Sequence, residues 1–123
     1  ERVRFADDLP VAYEIASIPE KIIRGFKESE ITEHFFKTLT DNGYEIGKSQ
    51  QTISASLANS SLAKHLKVKT GDALLSLTQI SFLQDGQAFE YVRSYYVGDR
   101  FEFLFGEQLE VTTFFCTRIV LTP

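Results

Sequence analysis

Alternation of polar and apolar residues at the start of the chain predicts a β-hairpin. The alternation runs through residues 2–5 and again through residues 11–15, and the turn-forming pair Asp7-Asp8 lies between the two runs. Pro19 ends the second predicted strand, and residues 20–26 are expected to form a short helical turn. The chain therefore begins with two antiparallel strands.

Helical spacing replaces the alternation in the middle of the chain. Apolar residues recur at the intervals of one helix face: Ile31, Phe35, Phe36 and Leu39. We expect one helix here, with Ser29 or Thr32 as its cap and residues 41–43 as its end. Residues 44–58 then return to extended character, and a short helix capped by Asn59 or Ser60 follows. The apolar anchors of the extended segment are Ile46, Ile53 and Leu57.

The second half of the chain contains the strongest hairpin signal. Runs rich in β-branched and aromatic residues flank Asp85-Gly86, a pair that favours a two-residue type I′ turn. Further strand-like runs lie at residues 111–115 and 119–121. The order of hairpin, helices, strand, helix and hairpin predicts an α+β fold, with an antiparallel sheet and a few helices packed on it.

The second strand of this hairpin lies within residues 88–97. A strand that only covers a core is apolar on one face and polar on the other, but this strand carries polar and aromatic groups on both faces. Period two places Glu90, Ser94 and Tyr96 on one face, and Phe89 with its neighbouring tyrosines on the other. We interpret the first face as the wall of a polar pocket and the second as a packing surface. Arg93 falls on the packing face, where a surface or interface salt bridge is the simpler interpretation.

Composition and charge narrow the classes of function. A chain of 123 residues, 43% hydrophobic and 24% charged, indicates a single globular domain over residues 1–123. The formal net charge of −4 gives no basic surface for direct DNA binding. Cys116 is the only cysteine, so no intrachain disulfide can form, and we interpret it as a small buried hydrophobe. The absence of a signal peptide and of a membrane-spanning run predicts a cytoplasmic protein without a membrane partner.

No motif in the chain requires an enzyme. His34 and His65 do not have the spacing of a metal site, and neither lies near Cys116 in the sequence. There is also no glycine-rich phosphate loop. We therefore expect no catalytic residue, no metal and no cofactor.

Arginines and carboxylates point instead to a binding site. Arg2 and Arg4 share one strand face and can converge on one anion, although two ordinary surface arginines would give the same pattern. Glu14 and Glu90 each lie between apolar residues in the second strand of a hairpin, so each faces either solvent or a polar cavity. With the serine hydroxyl and the phenol on the Glu90 face, these groups suit a small, polar, anionic ligand.

Three motifs in order resemble one known family. They are R-x-R-x-A-D-D-x-P-V-A-Y-E at residues 2–14, A-x-x-L-x-V-x-x-G-D-A-L-L-x-L at residues 63–77, and D-G-Q-A-F-E-Y-V-R-S-Y-Y-V-G-D-R-F-E-F at residues 85–103. Over roughly residues 1–105 the chain resembles the UTRA domain, the effector-binding half of bacterial transcription regulators of the GntR type, HutC subfamily. Residues 106–123 form a tail with no counterpart in that family, which could add an edge strand or contact a partner subunit.

The resemblance implies a fold and a set of partners. The fold is that of chorismate lyase, an antiparallel sheet with helices packed on it. The ligand is a small effector, commonly a sugar phosphate or another anionic metabolite, and the assembly is a homodimer. The resemblance implies that DNA is bound only through a winged helix-turn-helix domain that precedes residue 1. The sequence begins with Glu1 and not with methionine, which agrees with this expectation.

The resemblance also implies roles for individual residues. In members that bind sugar phosphates, the ligand-contacting residues match Arg2, Arg4, Glu14, Glu90 and Tyr96. The two arginines hold the phosphate and the two glutamates contact sugar hydroxyls. The family also has an S-x-Y pair, which here reads His34 and Phe36; we expect His34 to donate to the anion and Phe36 to pack in the core.

Two other hypotheses use the same residues differently. A chorismate-lyase-like enzyme on this fold would hold a dicarboxylate with the arginine pair and a glutamate. A structural dimerisation module would leave the polar strand faces in solvent. It predicts that Arg2, Arg4, Glu14 and Glu90 do not converge in space.

Overall fold

The polar–apolar alternation at the start of the chain forms the predicted hairpin. β1 (Arg2–Ala6) pairs with β2 (Leu9–Ser17), and Asp7 adopts a left-handed φ of 52° in the turn. Arg2 lies opposite Glu14 and Arg4 lies opposite Ala12, with a register shift after Arg4. Residues that face each other across an antiparallel pair project to the same side, so this register places both arginines on the side of Glu14.

The computed structural model describes residues 1–104, 114–115 and 120–121. The helices are α1 (Glu20–Ile23), α2 (Glu28–Thr32), α3 (Phe35–Asp41) and α4 (Ser60–Leu66). The remaining strands are β3 (Ile46–Leu57), β4 (Ala73–Leu83), β5 (Ala88–Val97), β6 (Glu102–Phe103), β7 (Phe114–Phe115) and β8 (Val120–Leu121). Five of the strands form an antiparallel sheet in the order β1-β2-β5-β4-β3, which confirms the α+β prediction.

The strands β6, β7 and β8 form a second sheet of three strands, in that order. Both tail strands of the sheet fall within the predicted strand-like runs. Cys116 and the rest of residues 105–123 lie outside the described residues, so the expectations for them stay predictions.

The chain divides into two compact units. The first comprises Glu1–Ile15, Ile53–Leu77 and Arg93–Pro123. Helix α4 packs on this unit's strands, because its buried residues share a cluster with Tyr13, Leu74 and Val97. Asn59 Oδ1 accepts a hydrogen bond from the Leu62 backbone N–H at 2.8 Å, which confirms Asn59 as the helix cap.

The second unit comprises Ala16–Thr52 and Thr78–Val92. Its core is a cluster of buried apolar residues from two helices and two strands: Ile22, Phe35, Leu39, Leu83 and Phe89. The single helix predicted from residue 31 onward is wrong, because the chain forms α2 and α3 separately. His34, with φ −136° and ψ 40°, is not helical and breaks the run. The caps also differ from the prediction, since Lys27 precedes α2 and His34 precedes α3.

The turn between β4 and β5 differs from the predicted type I′ turn. A type I′ turn requires positive φ at both central residues, but here only Gly86 has it, with φ 89°. The Leu83 N–H donates to Gln87 O at 2.8 Å and the Gly86 N–H donates to Leu83 O at 2.9 Å. This pattern is a three-residue loop with a glycine bulge, the alternative hairpin connection in which only the last loop residue must be left-handed.

Two of the three predicted anchors of β3 are not buried. Ile53 is 38% exposed and Leu57 is 68% exposed. β3 is the last strand of its sheet, so few neighbouring side chains are available to cover it. Among the described residues, none of the helices is long and apolar enough to cross a membrane.

Candidate anion-binding site

Two arginines and one glutamate from the first hairpin form a single ion cluster. Arg2 Nε donates to Glu14 Oε2 at 2.6 Å, and Arg4 Nε donates to Glu14 Oε1 at 2.7 Å. The Glu14 side chain is only 9% exposed, whereas those of Arg2 and Arg4 are 56% and 49% exposed. We call Arg2, Arg4 and Glu14 the arginine–glutamate cluster. Both arginines therefore bind one anion, the Glu14 carboxylate of their own chain.

The electrostatics of the cluster are set by burial and by the two guanidinium groups. Burial on its own raises the pKa of Glu14, but hydrogen bonds from Arg4 and Arg2, together with their positive charges, hold the pKa below its ordinary value of 4.5. Glu14 is therefore ionised at neutral pH, and the cluster carries one net positive charge.

The cluster can accept a further anion. Arginine has five N–H donors, and the bonds to Glu14 engage only Nε of each guanidinium. Since about half of each arginine side chain is exposed, the terminal NH₂ groups can donate to a ligand from solvent. The buried carboxylate fixes where the guanidinium groups point, so a ligand meets donors that are already oriented.

Ser94 and Tyr96, both predicted site residues, lie in the same unit as the cluster. Both are buried, and the rings of Phe101 and Phe103 lie 4.5 Å and 4.9 Å from the Tyr96 ring, centroid to centroid. Burial raises the pKa of the Tyr96 hydroxyl and the charge of Glu14 raises it further, while the Ser94 hydrogen bond and both arginine charges oppose this. The phenol therefore keeps its proton at neutral pH, within electrostatic reach of the cluster.

The other two predicted site residues belong to the second unit. Glu90 is half-buried and lines a cleft of about 430 Å³ together with Ser17, Ile18, Pro19, Ile80, Ala88 and Tyr91. His34 precedes α3 with its side chain 68% exposed, and its Nε2 lies 3.9 Å from Glu33 Oε2. A separate cleft of about 460 Å³, between residues 47–50 and the end of β4, contains none of the predicted site residues.

Phe36 occupies the position of the family tyrosine and departs from the core packing predicted for it. Its ring lies 5.6 Å from that of the buried Phe89, but 44% of the residue is exposed. Phe35, at 8% exposure, is the residue of this pair that enters the core. The predicted packing of Phe36 against the core is present as its contact with Phe89, but the prediction that Phe36 is buried is wrong.

The sequence did not reveal the role of Arg100, which connects two elements of the first unit. Arg100 Nη1 donates to Pro10 O at 2.9 Å and to Leu66 O at 3.0 Å, and its Nη2 donates to Lys67 O at 3.3 Å. The guanidinium thus joins β2 to the carboxyl end of α4, where Lys67 has a left-handed φ of 53°. The only sequence signal is an arginine just after a Gly-Asp turn, which does not reveal contacts 33 to 90 residues away.

A second contact that the sequence did not reveal involves His65. Its ring stacks on that of Tyr13 at a centroid distance of 4.5 Å and an interplanar angle of 12°. The Tyr13 hydroxyl donates to Glu1 Oε2 at 2.6 Å, and this bond is the main cause of the raised pKa of Tyr13. His65 lies in the last turn of α4, and it packs against the hairpin.

Comparison with known proteins decides the family. Residues 1–102 match the UTRA domain family. The chain belongs to this family. The match confirms the resemblance drawn from the three motifs, and it places the arginine–glutamate cluster, Ser94 and Tyr96 within the matched part of the UTRA domain.

Relatives of this UTRA domain are transcription regulators. Over 108 residues it is 33% identical to the HTH-type transcriptional repressor NagR of Bacillus subtilis (strain 168), a match that covers 84% of this chain and 43% of NagR. The chain thus spans less than half the length of this curated relative. A GntR-family transcriptional regulator from Enterococcus faecalis V583 has a TM-score of 0.82 and 47% identity, over 85% of this chain and 76% of that one.

More distant structures share the fold. A GntR-family transcriptional regulator from Bacillus cereus has a TM-score of 0.77 at 22% identity, over 85% of this chain and 73% of that chain. At this level of identity the likeness shows the fold alone. Within the part of the chain that the structure describes, no group of three or more His, Cys, Asp or Glu residues could hold a metal ion.

Proposed function

We propose that this UTRA domain is the effector-binding domain of a GntR-type transcription regulator, and that it binds a small anionic metabolite such as a sugar phosphate at the arginine–glutamate cluster. The observation that carries the proposal is the pair of half-exposed guanidinium groups held by one buried carboxylate. Bidentate, charge-assisted bonds from arginine match the geometry of a phosphate or a carboxylate.

Hydroxyl groups of the effector would be bound by the groups beside the arginines. A carboxylate has about four acceptor positions, and Glu14 uses one on each oxygen, so it can still accept from a ligand hydroxyl. The protonated Tyr96 phenol can donate. That Glu90 and His34 also contact the effector stays a prediction of the family resemblance.

The role in regulation rests on the relatives, whose names describe transcription regulators. DNA binding would belong to a part of the protein outside residues 1–123. Effector binding would then change the DNA affinity through a coupling free energy, which is typically about 1–3 kcal/mol. The match to regulators also favours this role over the chorismate-lyase-like alternative. The structural-module hypothesis predicts that Arg2, Arg4, Glu14 and Glu90 do not converge. The bonds of Arg2 and Arg4 to Glu14 weigh against it, while Glu90 belongs to the second unit.

A thermal-shift panel tests the ligand class. Hexose 6-phosphates, inorganic phosphate and small carboxylates are compared with the unphosphorylated hexoses at equal concentration. We expect phosphorylated or carboxylated compounds to raise the melting temperature, because a ligand that binds only the folded state stabilises it by mass action, by about 2.7 kcal/mol at a hundredfold excess over Kd.

Two outcomes would contradict this function. If neutral hexoses stabilise the domain as much as their phosphates do, the anion is not what the site recognises. If the domain instead converts chorismate to 4-hydroxybenzoate and pyruvate, the enzyme alternative is correct.

A further inference from the structure

The first hairpin contains a β-bulge in its second strand. Arg4 of β1 faces Ala12 of β2. The next residue, Phe5, faces Pro10, so Val11 is an extra residue with no counterpart in the described hairpin. Val11 and Ala12 follow each other in the strand, yet both are fully buried in the same core cluster. A regular strand would point them to opposite faces, so their shared burial agrees with a bulge at this position.

The bulge decides on which side of the hairpin the Glu14 carboxylate lies. Without the extra residue, the pairing would continue regularly from Phe5 opposite Pro10. Arg2 would then face Tyr13 and not Glu14. Neighbouring residues of a strand point to opposite faces, so the carboxylate would lie on the side away from both arginines. The arginine–glutamate cluster therefore exists only in the register that contains the bulge.

Arg100 binds the backbone at the point where the bulge begins. Its Nη1 donates to Pro10 O at 2.9 Å, and Pro10 comes directly before the extra residue. Because proline has no N–H, Pro10 cannot donate to β1 at this position. The same Nη1 donates to Leu66 O at 3.0 Å, at the end of α4. Arg100 thus connects the bulge to a helix outside the hairpin.

The turn that carries Arg100 is held in place by contacts that do not involve the Arg100 side chain. The Gly98 N–H donates to Ala73 O at 3.0 Å, and a Cβ on Gly98 would lie only 2.9 Å from that oxygen, so this close approach requires glycine. On the other side of Arg100, Phe101 is 1% exposed and belongs to the same core cluster as Val11. A change of the Arg100 side chain therefore removes its bonds to the bulge and leaves the turn in position.

We propose that Arg100 is a positioning residue for the arginine–glutamate cluster, because its bond to Pro10 O fixes the bulge that places Glu14 beside the two arginines. When this bond is lost, the bulge is held by side-chain packing alone, and the register without the bulge becomes accessible. The effect on the register does not depend on any ligand. Only the effect on ligand affinity rests on the proposed function.

Cross-strand nuclear Overhauser contacts between facing residues test the register. In the parent we expect contacts of Arg2 with Glu14. In Arg100→Ala we expect an added set, of Arg2 with Tyr13, from the register without the bulge. Leu39→Ala is the matched control, because it truncates a fully buried residue in the core of the second unit and destabilises the fold without touching the hairpin. It should show the parent contacts alone.

The titration of the Glu14 carboxyl carbon gives a second measurement of the same effect. Both arginines hold the pKa of Glu14 below 4.5 in the parent, so separation from them should raise the pKa in Arg100→Ala and leave it unchanged in Leu39→Ala. Where Arg100→Ala does not fold, Arg100→Lys takes its place, and a smaller rise in the pKa is expected because lysine lacks the planar fork. Parent contacts together with a parent pKa in the folded Arg100 variant would overturn the proposal.

Titration calorimetry with glucose 6-phosphate connects the register to the anion site. We expect Arg100→Lys to bind roughly tenfold more weakly than the parent, which is about 1.4 kcal/mol, and Lys64→Ala to bind as the parent does. Weaker binding by Arg100→Lys with a parent pKa of Glu14 would overturn the positioning role, since the affinity would then be lost by another route. A parent that binds no anion would contradict the proposed function, and the register and the Glu14 pKa would still decide the role of Arg100.

Discussion

Replacing Glu14 with glutamine is expected to lower the free energy of unfolding by about 2 kcal/mol at pH 7. Removing one partner of a buried ion pair costs about 3–5 kcal/mol, and we take less here because Arg2 and Arg4 are half exposed and solvent screens them. Urea denaturation of the parent and of Glu14→Gln measures the difference. Glu45→Gln, at an exposed position, is the matched control and should change little.

The effect of Glu14→Gln depends on pH with a definite sign. The folded-state pKa of Glu14 lies below its ordinary value of 4.5, so the stabilising contribution of the carboxylate is complete above that pH. It is lost as the pH falls through the lowered pKa, and the gap between parent and variant should therefore narrow below pH 4.5. A gap that stays constant from pH 7 to pH 3.5 would mean that shape, not charge, is what the variant loses.

Replacing Arg100 with alanine is expected to cost about 3 kcal/mol of unfolding free energy. The change removes the donors to Pro10 O, Leu66 O and Lys67 O, in a part of the chain where Pro10 and Leu66 are fully buried. Each buried acceptor left unsatisfied costs about 1–3 kcal/mol. Thermal and urea unfolding measure the loss.

Two further variants separate the role of the Arg100 fork from that of its charge. Arg100→Lys keeps the charge but cannot reach three carbonyls with the same planar fork, so we expect it to recover only part of the stability. Lys64→Ala removes a cation from the exposed surface of α4 and should be nearly neutral. If Arg100→Ala is as stable as Lys64→Ala, the bonds from Arg100 do not hold the hairpin to the helix.

Period-two alternation was enough to predict the hairpin and the shared face of Arg2 and Arg4. It could not show that Arg2 and Arg4 would both form ion pairs with Glu14. That contact depends on the register of β1 against β2, which pairs Arg2 with Glu14. Register follows from the turn and the bulge after Arg4, and neither leaves a periodic signal.

Other predictions failed because local patterns do not record tertiary surroundings. Helical spacing continued across His34, but the backbone there is not helical and the helix divides. Ile53 and Leu57 looked like core anchors, because an apolar residue in a strand is usually buried, yet β3 lies at the end of its sheet. Sequence predicts which face a residue shares more reliably than whether that face is covered.

The central claim is that Arg2 and Arg4 bind the effector anion. Isothermal titration with the hexose phosphate that best stabilises the parent tests it most directly, with Arg4→Ala compared against Arg24→Ala, an exposed arginine in the second unit. We predict that Arg4→Ala weakens binding roughly 100-fold, the scale of one charge-assisted bond pair, and that Arg24→Ala leaves it unchanged. Parent-like affinity in both Arg4→Ala and the Arg2→Ala/Arg4→Ala double variant would contradict the account.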